Sequence, residues 1–465
     1  MNRDKVNEKK KKILFYNWVP YDDPGGAGGG VTVYLKNLID SFCISESEIE
    51  LYFLSSGWAY DASTAETYLQ KTRDPAGKCK SFEIVNSPIF APNGWIARNP
   101  AKMLEPESVT KKTIDKFIED NGPFDIIHFH NIEGLALDVF SLKEKYAETK
   151  FLLTLHNYAP ICPMVNYYHY GNQKICDGTM EGTECLKCIN AKGYKIYSEI
   201  KRRLKKEPDE NWMRFVGLDS FMMDCPAEIY SRYRKECISV INKYIDCVLA
   251  VSKRVADIFE THGIDKNKLF VSYIGTKAAE NQLKRSVAAP SPKLKIAFLG
   301  YASIKEKGFD FFINALSTLG EDQAKNIDIL IAAKNCREEY IRDKLKKFHS
   351  VTIKNGYKHE ELDAILKDVH LGVIPVLWED NLPQVAIEMV AHGVPILCSS
   401  YGGASELCAS PLFKFEGGNA EDMLSHILHF VNKPSDLNEF WNYSKKLTTM
   451  SDHIDELKRY YEIAR

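Results

Sequence analysis

The chain has 465 residues, room for two or three domains at roughly 100–200 residues each. Hydrophobic residues make up 45% and charged residues 27%, the balance of a globular protein. The formal net charge of −2 gives no whole-chain reason for binding nucleic acid, so any basic patch must be local.

The first residues, MNRDKVNEKKKK, precede the apolar run ILFYNWVP. That run is short, contains Asn17 and has no small-residue cleavage site after it. It reads as a solubilising tail and a first buried strand rather than a secretory signal. No stretch reaches the ~18 apolar residues of a membrane span. The 12 cysteines then read as reduced thiols of a cytoplasmic protein.

Strand candidates in the first half are 12–18, 51–55, 124–129, 151–155, 247–252 and 269–273. Several are continuous apolar runs, the pattern of strands covered on both faces in a parallel sheet. Amphipathic stretches such as 31–42 and 109–121 separate them, which is βαβ rhythm. Residues 277–292, KAAENQLKRSVAAPSP, break it and read as a linker. The alternation resumes with strands at 295–301, 327–332, 351–353, 371–376 and 395–399. The expected plan is α/β. An N-terminal domain covers 1–276 with insertions at 57–107 and 161–246. A linker spans 277–294, and a C-terminal domain covers 295–451. Doubly wound sheets bind ligands at the carboxyl ends of their strands. The insertions either shape substrate recognition or are decoration.

PGGAGGGV, 24–31, lies between the first strand and the first helix. Glycines there admit a ligand to the backbone, and a helix N-terminus offers free N–H groups, so phosphate binding is one reading. A flexible loop is the other, and the spacing is not G-x-G-x-x-G. FHN and LHN place His130 and His156 at strand ends, where histidines bind hydroxyls or move protons. His128, deeper in its strand, reads as a packing residue.

Cys162, Cys176, Cys185 and Cys188 fall within 27 residues and end in ECLKC. Cys-x-x-Cys suits zinc, but the outer spacings are irregular, and a structural zinc site and unliganded thiols fit equally. Residues 195–206, KIYSEIKRRLKK, and the aromatic and Met-rich 212–223 suit either peripheral contact with an anionic bilayer or a solvated helix packed on its domain.

In FLGYASIKEKGFDFF, a strand ends at Gly300 and Lys307 precedes Gly308 at a helix start, a place where a lysine neutralises a diphosphate. A surface lysine is the plain alternative. WEDNLPQVAIEMVAHGVPI, 378–396, carries the strongest pattern. Pro383 suits a first helical turn, and Gly393 with Pro395 ends the helix. Asp380 and Asn381 stand where side chains cap free N–H groups, with Glu388 inside the same helix. YGGASEL, 401–407, adds a second Gly-Gly turn after the next strand.

Taken together, GGGVTVYLKNL, FDIIHFHN, TLHN, LAVSKRVADIF, the turn at Lys307–Gly308, EDNLPQVAIEMVAHGVPIL and YGGASEL resemble the large retaining family-4 glycosyltransferases. The resemblance implies the GT-B fold, two facing Rossmann-like domains around a deep interdomain cleft. It implies a UDP- or GDP-sugar donor, a glycan or lipid-linked acceptor, and no cofactor or metal in catalysis. It places donor-sugar hydroxyls on Asp380 and the ribose on Glu388. Backbone N–H groups of Asn381, Leu382, Pro383 and Gln384 would face the sugar and diphosphate. Lys307 would bind the diphosphate and the Gly29–Gly30 loop would close over it. His156 would stand near the reacting centre, and Tyr357 would mark the loop at the base. The last segment, 452–465, would cross back onto the first domain. Asp380 departs from the family's usual Glu, and Tyr301 stands where an arginine is usual, so the diphosphate loses a bidentate partner. The alternative enzyme is a sugar-nucleotide epimerase on the same fold. A metal-stabilised binding module centred on the cysteines does not account for two complete α/β halves.

Overall fold

The computed structural model describes residues 10–45, 48–72, 74, 77, 79–91, 100–176, 178, 182–189, 227–285 and 293–462. It divides into two compact units: Met1–Val251, Ala256–Tyr273 and His453–Arg465 form the first; Ser252–Val255 and Ile274–Asp452 the second.

The first unit is built on an eight-stranded sheet of order β10-β9-β6-β5-β1-β2-β4-β3. Its centre is β1 (Lys11–Asn17), β2 (Ile49–Ser56), β5 (Ile126–Phe129), β6 (Lys150–Leu155) and β9 (Cys247–Ala250). β1 pairs in parallel with both β2 and β5, and β5 with β6. All four residues of β5 and of β9 are buried, as strands covered by helices on both faces require. α1 (Gly29–Ser45) and α2 (Val109–Asn121) supply part of that cover. β10 (Leu269–Val271) closes one edge.

The expected insertion at 57–107 is in part sheet. β4 (Lys80–Val85) adds in parallel to β2, and β3 (Tyr68–Lys71) pairs antiparallel to β4 at the other edge. Their charged residues hide the strand pattern. Lys80 pairs with Glu50 on β2 and sits 4.9 Å over the Tyr52 ring, a place only the neighbouring strand reveals. The second expected insertion also shrinks. Within 161–246, α3 (Glu228–Tyr244) is the crossover helix that the parallel step from β6 to β9 demands. It buries Tyr230, Tyr233, Arg234, Cys237 and Ile241, and Tyr233 Oη donates to the Ala159 carbonyl at 2.8 Å. What precedes it holds the two-stranded hairpin β7 (Tyr168–His169) and β8 (Lys174–Ile175) and a short helix at 182–189.

The second unit has a six-stranded, wholly parallel sheet of order β13-β12-β11-β14-β15-β16. The strands are β11 (Leu294–Tyr301), β12 (Ile327–Lys334), β13 (Ser350–Asn355), β14 (Leu371–Ile374), β15 (Ile396–Ser399) and β16 (Lys414–Phe415). α4 (Phe309–Ser317) follows β11, and α5 (Gln384–Ala391) joins β14 to β15. The described first part of the expected linker, residues 277–285, belongs to this unit. Lys277–Asn281 is a 3-10 turn with Ala279 buried, and Leu283 N–H donates to the Ala391 carbonyl at 2.8 Å. The last helix, α6 (Met450–Tyr461), begins in the second unit and belongs to the first from His453 onward. Among the described residues no helix is long and apolar enough to cross a membrane. Segments 195–206 and 212–223 lie outside the described residues.

Candidate functional site

In the second unit the loops after β11, β14 and β15 converge. β11 leads into a 3-10 turn, Lys305–Lys307, which ends at Gly308 with φ 77°. A Cβ at Gly308 would meet the Pro375 carbonyl oxygen at 1.7 Å, so only glycine lets this turn approach the end of β14. Leu377 N–H donates to the Glu306 carbonyl at 2.9 Å and fixes the approach. Lys307 Nζ thereby donates to Asp380 Oδ2 at 2.5 Å and lies 5.1 Å over the Trp378 ring.

Asp380 is held from the other side by the Gly-Gly turn. Gly403 N–H donates to its carbonyl at 2.8 Å, and a Cβ on Gly402 would come within 2.2 Å of that oxygen. Gly402 N–H donates at 2.8 Å to Glu379 Oε2, which also accepts Arg254 Nε at 2.9 Å. Glu379 is 1% exposed, and its ion pair with Arg254 anchors the loop. Neither Glu379 nor Arg254 was singled out in the sequence, because a motif does not show which of two adjacent carboxylates turns inward.

The capping expectation for Asp380 and Asn381 is corrected here. α5 begins at Gln384 with Pro383 in the capping position and no side-chain cap. Asp380 takes the lysine instead. Asn381 Nδ2 and Trp378 Nε1 are buried donors with no hydrogen-bond partner. Pro383 has no N–H, so it contributes rigidity, not a donor, to the stretch with Asn381, Leu382 and Gln384.

Glu388, buried inside α5, accepts His359 Nδ1 at 3.1 Å. The hydrogen bond to Glu388 raises the His359 pKa against the opposing effect of burial. Tyr357 is half-buried beside them, its phenol pushed up by burial and then by the Glu388 charge. His359 was missed because nothing in the sequence ties it to a glutamate 29 positions away.

In the first unit, α1 starts at Gly29, with φ 56°, followed by Gly30. The preceding loop folds on a carboxylate: Asp23 accepts Gly25 N–H at 3.1 Å and Ala27 N–H at 2.7 Å. Two of the loop's amides are thus already engaged by an anion of the chain itself. The strand-end histidines form a buried column. His128 is fully partnered, by Tyr461 Oη and Thr154 Oγ1, both at 2.7 Å. His130 is wholly buried and shares a 3.2 Å hydrogen bond between its Nδ1 and His156 Nε2, while its Nε2 has no hydrogen-bond partner. Burial lowers the His156 pKa to about 3, and the imidazole is neutral at physiological pH.

Beside the column stands Glu133, also missed in the sequence. It is 3% exposed, accepts Asn157 Nδ2 at 2.9 Å on Oε2, and has no hydrogen-bond partner on Oε1. Burial pushes its pKa up to about 7. The four cysteines, Cys162, Cys176, Cys185 and Cys188, line one cavity of about 210 Å³ elsewhere in this unit. Among the described residues no three His, Cys, Asp or Glu side chains are gathered closely enough to hold a metal.

Comparison with known proteins adds to this geometry. Residues 293–433 match the family described as Glycosyl transferases group 1. An uncharacterised glycosyltransferase of Methanocaldococcus jannaschii is 27% identical over 185 residues, 36% of this chain and 46% of that protein. The match thus spans less than half of the relative's length. Among solved structures, sucrose-phosphate synthase of Thermosynechococcus elongatus superposes with TM-score 0.59 at 12% identity, covering 98% of this chain and 99% of that one. HepE of Anabaena, solved with UDP and glucose, gives 0.57 at 11% identity over 97% and 100%. A UDP-forming trehalose-phosphate synthase of Burkholderia vietnamiensis gives 0.56 at 13% over 97% and 98%. These likenesses share the fold of two Rossmann-like sheets. Residues 293–433 thus carry a glycosyl transferases group 1 domain, in a chain with the GT-B fold of two Rossmann-like sheets.

Proposed function

We propose that the chain moves a sugar from a nucleotide-diphosphate donor to a glycan or lipid-linked acceptor, with retention of anomeric configuration, in cell-envelope polysaccharide synthesis. One observation carries the reading. Beside the Lys307–Asp380 pair lie two buried donors without partners, Trp378 Nε1 and Asn381 Nδ2. An unpaired buried donor costs ~1–3 kcal/mol, and a ligand rich in acceptor oxygens answers that cost. A sugar diphosphate is such a ligand.

The reaction breaks the bond between the anomeric carbon and the diphosphate. Negative charge grows on the leaving phosphate, positive charge on the sugar ring. Lys307 supplies a cation for the first, and Asp380 orients that lysine while holding sugar hydroxyls. Glu388, with His359 on it, takes the ribose, and Tyr357 borders the base. No side chain is assigned as covalent nucleophile. The acceptor hydroxyl attacks on the face the diphosphate leaves, and the leaving phosphate oxygen takes its proton. His156, neutral, serves as a hydrogen-bonding partner near the reacting centre. This scheme calls on no cofactor.

UDP-glucose is the first donor to test, since the HepE neighbour was solved with UDP and glucose. GDP-sugars are next. The proposed location is cytoplasmic, with peripheral contact on the inner membrane face through 195–206 and 212–223. The test is a panel of nucleotide sugars assayed for binding and for slow hydrolysis without acceptor. Tight binding and slow release of free sugar support the reading. Conversion of the donor to an epimer would favour the epimerase, and no binding by any member would overturn both.

A further inference from the structure

We propose that Cys162, Cys176, Cys185 and Cys188 form a tetrathiolate zinc site that staples the segment between β6 and α3. The four come from separate pieces of chain. Cys162 lies in the loop after β6, Cys176 directly follows β8, and Cys185 and Cys188 lie on the helix at 182–189. Folding nevertheless brings all four to the wall of one cavity. Nothing in their scattered spacing requires this. A hairpin of two-residue strands and a two-turn helix hold little of their own core, and such segments are commonly stapled by metal.

Donors stand at two of the sulfurs, while burial, and then the neighbouring Cys176 and Cys188, push the Cys162 thiol up to about 12, a cost that the metal cation must offset. Arg234, 5% exposed on α3, directs Nη1 to Cys185 Sγ at 2.8 Å. Tyr170 N–H points at Cys188 Sγ at 3.2 Å. Hydrogen-bond donors around the sulfurs are the usual outer shell of a thiolate–metal site. His169, 8% exposed, lines the same cavity. Its Nδ1 accepts Asn172 N–H at 3.1 Å, which places the proton on Nε2. That N–H has no hydrogen-bond partner, with Glu184 Oε2 3.5 Å away, and is available to a sulfur. The binding step is Zn²⁺ plus four thiols giving a complex of charge −2 and four protons released to solvent. The Arg234 guanidinium offsets part of that charge. The sulfurs stand around the cavity rather than at coordination distance, so the proposal requires them to move inward when the metal binds.

The experiment uses the untagged full chain purified without chelator. Elemental analysis should return about one zinc per chain, released by a mercurial titrating four thiols. Replacement by Co²⁺ should give the intense visible bands of tetrahedral cobalt and thiolate charge-transfer absorption in the near ultraviolet. Cys188→Ser should lower zinc content at least tenfold, while Cys398→Ser, a buried thiol of the second unit, should not. If Cys188→Ser does not fold, alkylation of the wild type decides: the four thiols react only after metal release. Zinc below a tenth of an equivalent with no tight cobalt binding, pink octahedral cobalt, or disulfides among these four cysteines would overturn the proposal.

Discussion

Lys307 Nζ stands 2.5 Å from Asp380 Oδ2, the lysine side chain 30% exposed and the aspartate 9%. Because Asp380 caps no helix, its value lies in this pair. Asp380→Asn should therefore fold like wild type, yet turn over ~10²–10³ more slowly, the usual cost of losing one electrostatic stabiliser. Lys307→Ala should be worse for stability, since it strands a carboxylate that is mostly buried. Breaking a fully buried pair from one side costs ~3–5 kcal/mol, and the exposure of Lys307 sets the expectation below that range. The double variant, Lys307→Ala with Asp380→Asn, should recover the stability and not the activity. Chemical denaturation of the three proteins checks this. A single lysine variant as stable as wild type would remove the coupling.

His359 and Glu388 give a pH dependence. The folded His359 pKa is raised, chiefly by its hydrogen bond to Glu388. Its contribution is thus complete below the unfolded value of about 6.5 and fades as pH rises through the higher folded value. The melting-temperature gap between wild type and His359→Gln should be widest near pH 6 and close toward pH 9. It should be small, because the His359 side chain is 56% exposed and screened by solvent. Nucleotide affinity of wild type, but not of His359→Gln, should change across the same window. A gap that widens with pH reverses the sign and defeats the assignment.

Much of this architecture is readable in the chain because buried parallel strands announce themselves as apolar runs, as 124–129 and 247–252 do. β4 escapes notice because Lys80 and Glu83 interrupt its pattern, and only pairing with β2 makes a strand of it. In the second unit, the elements that meet around Lys307, Asp380 and the Gly-Gly turn are marked in the sequence because they sit at strand ends. Asp380 misleads as a cap because position before a helix is visible in sequence and a competing lysine 73 residues earlier is not. His359 and Glu133 stand out only through burial and distant partners, which no local spacing records.

The docking of α6 offers a stability test. Tyr461 Oη bonds His128 Nδ1 at 2.7 Å inside the first unit, and both groups are buried. Tyr461→Phe keeps the ring and leaves a buried imidazole nitrogen without a partner. That should cost ~1–3 kcal/mol and shift the denaturation midpoint accordingly. Limited proteolysis should also cut within 453–462 sooner in the variant. Unchanged stability and unchanged cleavage would mean that the ring alone seats the helix.

Glu133 makes the sharpest linkage prediction. Its carboxyl is 3% exposed, one oxygen is unpartnered, and burial raises its pKa from 4.5 to about 7. For an acid whose folded pKa is raised, the folded state holds its proton more tightly than the unfolded chain. The associated stability is fully present below pH 4.5 and is lost as pH rises through 7. At 1.36 kcal/mol per unit, the loss is on the order of 3 kcal/mol at most. Glu133→Gln keeps an acceptor for Asn157 and never ionises. It should match wild type near pH 5 and exceed it in stability by a growing margin up to pH 8. Denaturation at pH 5, 6.5 and 8 reads this directly. If the variant is no more stable than wild type at pH 8, the carboxylate is stabilised in the fold by a partner, and burial does not govern its titration.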